Sequence, residues 1–110
     1  MSEFSKFISE KIDQKNSIKK QSIRELSKEI GISHDYLGRI IHGKVIAPKI
    51  ETQEKIAKKI LDPSDYQEFY DLAAKEREEI PIDILQKLSK EYDKWNQIRK
   101  ILEVKEWVQI

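Results

Sequence analysis

The chain has 110 residues, 38% of them hydrophobic and 37% charged, with three glycines, three prolines and no cysteine. That length holds one domain, or one small domain with an appended element. The missing cysteines exclude disulfides and thiolate metal sites and fit a cytoplasmic protein, no apolar run approaches the ~18 residues of a membrane span, and the mixed-charge start MSEFSKFISEKIDQ is unlike a secretory signal. The net charge of +1 hides an asymmetry. Residues 1–61 carry 13 Lys+Arg against 8 Asp+Glu, a balance of +5, and residues 62–110 carry 8 against 12, a balance of −4. A basic first half suggests a polyanion-facing part, and an acidic second half a part that faces something else.

In chain order, Ser2 to Lys15 predicts a first helix, with Phe4, Phe7, Ile8 and Ile12 on one stripe. Asn16 to Gln21 reads as a polar link containing Lys19 and Lys20. Ser22 opens a second helix, and with Glu25 it forms a capping-box pattern. Leu26 and Ile30 share a face, and Gly31 ends the helix where a left-handed backbone is cheapest. Ser33 caps a third helix with Leu37, Ile40 and Ile41 as its buried positions, and Gly43 stops it. A loop from Lys44 to Lys49 leads to a fourth helix over 50–61, with Ile56, Ala57, Ile60 and Leu61 inward. Asp62-Pro63 marks a boundary.

Ser64 to Glu79 predicts a fifth helix, in which Tyr66, Phe69, Tyr70, Leu72 and Ala73 are apolar or aromatic. That aromatic cluster, with Trp95 and Trp107, reads as core rather than as a ligand pocket. Pro81 interrupts the pattern. From Ile82 to about Trp107 the spacing of Leu85, Leu88, Tyr92, Trp95, Ile98 and Leu102 predicts one long amphipathic helix. The expectation is therefore all-α: a bundle of four to five helices with a long C-terminal amphipathic helix, divided into residues 1–62 and a helical extension over 63–110.

Residues 23–42 hold what a DNA-reading helix-turn-helix needs. Ser27 is small where two helices would cross, Gly31 makes the turn, and Leu26, Ile30, Ile32, Leu37 and Ile40 lock the pair. The third helix keeps a polar outer face of Ser33, His34, Asp35, Gly38, Arg39 and His42. These residues can donate or accept at base edges, and Gly38 lets a backbone come close.

This stretch resembles the helix-turn-helix of the Cro and phage-repressor superfamily, the XRE family. The resemblance spans Ile23 to Ile60, about a third of the chain, and rests on L-S-x-x-I-G-I-S (Leu26 to Ser33), Tyr36-Leu37, R-I-x-x-G-K (Arg39 to Lys44) and P-K-I-E-T followed by K-I-A (Pro48 to Thr52, Lys55 to Ala57). The resemblance implies a phage-repressor-like bundle. It implies Ser33, His34, Asp35 and Arg39 as base readers; Gly38 and His42 are base-reading candidates from their outward positions alone. The resemblance implies Ser22, Tyr36 and Lys44 as phosphate contacts. Apart from the resemblance, the lysine set Lys19, Lys20, Lys44 and Lys49 reads as a solvated surface or, beside a DNA-reading helix, as neutralising phosphate, and Arg24 is a further phosphate candidate. Where family members often carry glutamate, this chain has Ile41, and the arginine that would pair with it in the first helix is also missing. An apolar Ile41 packed on the first helix is the simplest replacement.

Each residue also has a plainer reading. Arg39 is either an exposed helix arginine or a bidentate reader of guanine. His34 either sits in solvent or touches a base or phosphate. Asp35 either accepts from a cytosine amino group or helps cap its own helix, with equal weight. His34 and His42 lack a third ligand nearby, so no metal is expected. Nothing supports catalysis or a cofactor.

One such motif reads only four or five base pairs, so a symmetric dimer on a palindromic operator is expected. Leu88, Tyr92, Trp95, Ile98 and Leu102 are the candidate dimer residues; the plainer reading is that this stripe packs wholly within the chain. The reading is a dimeric transcriptional repressor that binds double-stranded DNA. The alternative is an antitoxin-like protein whose second half binds a toxin-like protein partner and whose DNA binding regulates its own operon. A purely structural helical adaptor is the third possibility.

Overall fold

The computed structural model describes residues 2–104. Among them the chain is all-α, with seven helices and no strand. They are α1 (Glu3–Ile18), α2 (Ile23–Ile30), α3 (His34–Ile41), α4 (Ile50–Ile60), α5 (Tyr66–Arg77), α6 (Ile82–Lys90) and α7 (Trp95–Ile101). Short 3₁₀ turns precede α5 and α7, at Pro63–Asp65 and Tyr92–Lys94. No described helix is long and apolar enough to cross a membrane.

The periodic apolar residues of α1 to α5 make one core. Phe4, Phe7, Ile8 and Ile12 of α1 are buried together with Leu26, Ile30, Leu37, Ile40, Ile56, Ala57 and Leu61. Phe69 of α5 sits at its centre, fully buried. Its ring lies 5.4 Å from Phe4, 6.4 Å from Phe7 and 5.1 Å from Tyr70, in tilted and edge-on arrangements that suit aromatic quadrupoles. The core therefore runs through α5. It continues past residue 62, and among the described residues burial stops only after α5.

Polar contacts fasten the edges of this bundle. Lys11 pairs with Asp65 at 3.0 Å while its ammonium lies over the Phe7 ring, tying α1 to the turn before α5. Lys15 donates to the Lys59 carbonyl at 2.7 Å, where the C-terminal end of α4 favours a cation. Arg77 donates Nη1 to the Ala47 carbonyl at 3.0 Å and Nε to Glu79 at 2.9 Å. The end of α5 thus clamps the loop between α3 and α4. Helix α1 continues to Ile18, through part of the expected polar link.

The expected long C-terminal helix is two helices. Glu91 leaves the helical region, at φ −107° and ψ 53°. In a continuous helix the Leu88 carbonyl would accept the Tyr92 amide; here it accepts from the Glu91 amide at 3.2 Å and from the Trp95 indole at 2.7 Å. The hydrogen bond from Lys94 to Glu91 at 2.9 Å closes the turn, holds the Glu91 carboxyl below its ordinary range and raises Lys94. The end once expected near Trp107 lies outside the described residues.

Neither α6 nor α7 has a buried residue. The Cα radius of gyration is 17.2 Å, against about 13 Å for a compact domain of this length, so the burial pattern identifies residues 82–104 as an arm standing off the bundle. Trp95, expected in the core, is 42% exposed and belongs to this arm. It packs edge-on against Tyr92 at 6.4 Å. The arm meets the bundle at a hollow where Ile82 and Leu85 join Ile50, Tyr70 and Ala74. There, burial pushes the Tyr70 phenol above its ordinary range, with Glu54 and Tyr66 adding to the shift.

Truncating the central ring should be costly because three aromatic neighbours lose their partner. Phe69→Ala is expected to destabilise the fold by about 3–5 kcal/mol, read as the shift in urea midpoint at unchanged slope.

Candidate nucleic-acid interface

Helices α2 and α3 are each capped at the start by a serine. The Ser22 hydroxyl accepts from the Glu25 amide and the Ser33 hydroxyl from the Tyr36 amide, both at 3.1 Å. Each satisfies an orphan donor of the first turn. Both helices end on a left-handed glycine. Gly31 has φ 90°, and the Ile32 amide returns to the Ser27 carbonyl at 3.1 Å; Gly43 has φ 67°, and the Lys44 amide returns to the Arg39 carbonyl at 2.8 Å. These are Schellman closures, in which the backbone reverses within two residues. The second holds Lys44 against the end of α3.

The inner faces explain the angle between the pair. Ser27 is buried and donates to the Arg24 carbonyl at 2.8 Å, so a small polar residue fills the crossing without an unpaired hydroxyl. Leu26, Ile30, Leu37 and Ile40 are all buried. Ile41 is half-buried, and its carbonyl accepts the Ser9 hydroxyl of α1 at 3.1 Å. The link between α3 and α1 is thus apolar contact plus one neutral hydrogen bond.

The outer face of α3 is polar. Ser33, His34, Asp35, Arg39 and His42 are exposed, and Gly38 is half-exposed. His34, Asp35, Gly38, Arg39, His42 and Lys44, with Ile23 from the start of α2, line one shallow hollow of about 340 Å³. Within it Arg39 pairs with Asp35 one turn earlier, at 3.2 Å. A Cβ added at Gly38 would meet nothing within 4 Å. No packing inside the protein requires that glycine, although glycine in a helix interior costs about 1 kcal/mol relative to alanine. Among the described residues no group of His, Asp and Glu converges on a metal site.

The other sequence candidates divide. Ser22 is exposed and precedes Ile23, which lines the hollow, and its hydroxyl oxygen accepts from the Glu25 amide. Tyr36 is half-buried against the core. Arg24 and Lys49 are exposed but do not line the hollow. Of the candidate dimer residues, Leu88, Trp95 and Ile98 come together with Ile80 and Leu85 around a second hollow of about 280 Å³. Tyr92 reaches it only through its ring contact with Trp95 and is 72% exposed, and Leu102 is 67% exposed and apart from it. Trp107 lies outside the described residues.

Sequence reasoning missed two polar residues that hold the loop beside the hollow. Gln53 is buried and donates to the Pro48 carbonyl at 2.7 Å, and Arg77 reaches Ala47. Arg77 carries no local signal because its partner lies thirty residues away, and Gln53, five residues from its partner, is a polar type that the apolar period of α4 passes over. Compared with family profiles, curated proteins and solved structures, the chain matches none.

The two glycines should respond in opposite directions. Gly31→Ala forces a Cβ into the left-handed region and is expected to destabilise by about 1–2 kcal/mol. Gly38→Ala meets open space in a helix and is expected to stabilise by about 0.5–1 kcal/mol. Thermal unfolding of the two variants side by side checks the pair.

Proposed function

We propose that this protein binds double-stranded DNA sequence-specifically, as a transcriptional regulator that inserts α3 into the major groove. The observation that carries the reading is the outer face of α3. Donors and acceptors at His34, Asp35, Arg39 and His42 gather around an unfilled Gly38, with Lys44 at the rim and Ser33 exposed at the start of the helix. A groove of about 12 Å admits one helix, and a glycine with nothing against it lets that helix sit deep. Arg39 offers a fork of donors to guanine O6 and N7. Ser22 and Lys44 meet phosphates at the two edges. The basic balance of residues 1–61 supplies the long-range attraction. The phage-repressor likeness of residues 23–60 supports the same reading, and repression of a small operon is the role it favours.

A single such helix reads too little DNA for useful specificity, so the active species is a homodimer on two half-sites. The arm supplies its interface. An arm with no buried residue but with Leu85, Trp95, Leu102 and Val104 exposed gains most from a self-complementary partner. The same exposed face favours a second reading: an antitoxin-like protein that covers it with a different protein and regulates its own operon through α3.

Two measurements test the proposal. Selection from random duplexes should return a palindrome whose half-sites contain a guanine. On that duplex Arg39→Ala should lose about 1–3 kcal/mol and relax one position, whereas Lys44→Ala should weaken all sequences alike and lower the salt slope by about 1. No enrichment by the unaltered protein would sink the reading. For the dimer, sedimentation at micromolar concentration should give two chains, and Trp95→Lys should give one. A monomer that stays single on its selected duplex overturns the dimer and leaves the antitoxin-like reading.

A further inference from the structure

We propose that Asp35 is the specificity-determining residue of this interface and that it acts through Arg39 rather than by touching a base. The inference rests on the DNA-binding reading above. It starts from an arrangement the reading does not explain: a carboxylate in the first turn of the helix whose outer face would meet a polyanion. Asp35 and Arg39 share one face of α3, and Arg39 Nη2 donates to Asp35 Oδ2 at 3.2 Å. Their side chains are 81% and 58% exposed, so burial does not force the pair together. The other charged or titratable groups around the hollow are His34, His42 and Lys44, and none of them pairs with Asp35 in the described structure.

An unpaired arginine on a DNA-facing helix has two destinations. It can lie against a base edge, or it can swing to a phosphate, which carries more charge and demands less geometry. Asp35 biases that choice. One guanidinium nitrogen is held by the carboxylate, so the side chain loses much of its freedom before binding. The remaining donor edge keeps the planar fork that matches guanine O6 and N7. The same negative charge makes every phosphate near α3 a worse partner. The consequence has an unusual sign: Asp35 lowers affinity for DNA in general and raises preference for the right site.

The test compares the unaltered protein with Asp35→Asn, Asp35→Glu, Arg39→Ala and the double variant Asp35→Asn/Arg39→Ala. Each is titrated against the selected duplex and a scrambled duplex of equal length and composition, at several salt concentrations. Asp35→Asn should bind the scrambled duplex roughly threefold more tightly, since one repelling charge is gone. Its discrimination between the two duplexes should fall by roughly tenfold, the scale of one bidentate base contact. Asp35→Glu, which can restore the ion pair across one turn, should recover most of the discrimination. The double variant should discriminate no worse than Arg39→Ala alone.

An unchanged discrimination ratio in Asp35→Asn overturns the proposal. So does an equal loss on both duplexes, which is what a mere helix-capping role would give, or a further loss in the double variant, which would mean that Asp35 reads a base itself. Failure of the unaltered protein to bind any duplex overturns it together with the DNA-binding reading, and is told apart because no variant then matters.

Discussion

The contact on which the rest of this molecule depends is Phe69 of α5 against Phe4 and Phe7 of α1. It makes α1 a fixed wall. Ile8 and Ile12 continue that wall within the same core, and α1 packs on α3, where Leu37 and Ile40 are buried and the Ser9 hydroxyl holds the Ile41 carbonyl. The direction in which α3 faces outward is therefore set from behind, by apolar packing and a single hydrogen bond. A close-packed core has few alternative arrangements, so the polar face of α3 is presented at a defined angle. The α2–α3 turn alone could not achieve this, because two eight-residue helices are too short to be stable in isolation.

The loop after α3 is held by the same economy. Residues 44–49 have no regular structure, yet Ala47 and Pro48 are buried. Their carbonyls are satisfied by Arg77 and Gln53. Buried carbonyls without partners would be costly, so these two long side chains let the loop stay in. Lys44 at its start and Lys49 at its end are thereby anchored on backbone that cannot drift far. If the site reads DNA as proposed, loop order set by folding need not be set again on binding.

Much of this was legible in the sequence because its causes are local. Ser22 and Ser33 cap, Gly31 and Gly43 reverse the chain, and the buried stripes of α1 to α4 follow the helical period; each depends on residues within about four positions. What was not legible is non-local. Arg77 looks like a surface residue by type and becomes an internal donor only because α5 and the 44–49 loop meet, and Gln53, although its partner Pro48 is five residues away, is a buried polar side chain that the apolar period of α4 does not mark. Trp95 looks like core by type, and its place is decided by the indole bond to Leu88, seven residues away. The break at Glu91 has no glycine or proline to announce it. A helical period continues across it unchanged, which is why two helices read as one. The outward side of α3 is a third case. Which residues point out follows from the period, but the pairing of Asp35 with Arg39 is a choice between rotamers that the period leaves open.

Two surfaces carry features that weaken this fold, and their kinds differ. On α3 the weakness is a missing side chain: Gly38 forfeits helix stability and leaves space. On the arm it is a surplus: Ile84, Tyr92, Ile101 and Leu102 are apolar and uncovered. Space beside donors suits a partner that brings its own polar edges and rigid shape. Surplus apolar area suits a partner that brings more of the same. The two surfaces are thus complementary in chemistry to different things, and they cannot be exchanged. If the first meets a half-site and the second meets another copy, each makes up for what the other lacks. One half-site gives discrimination but little affinity, and an apolar interface gives affinity but no discrimination. Joined through a dimer the half-site energies act together at a high effective concentration. A 110-residue chain would then need only one recognition helix, provided that something outside the bundle doubles it, and the arm is the part of the chain that the bundle does not use.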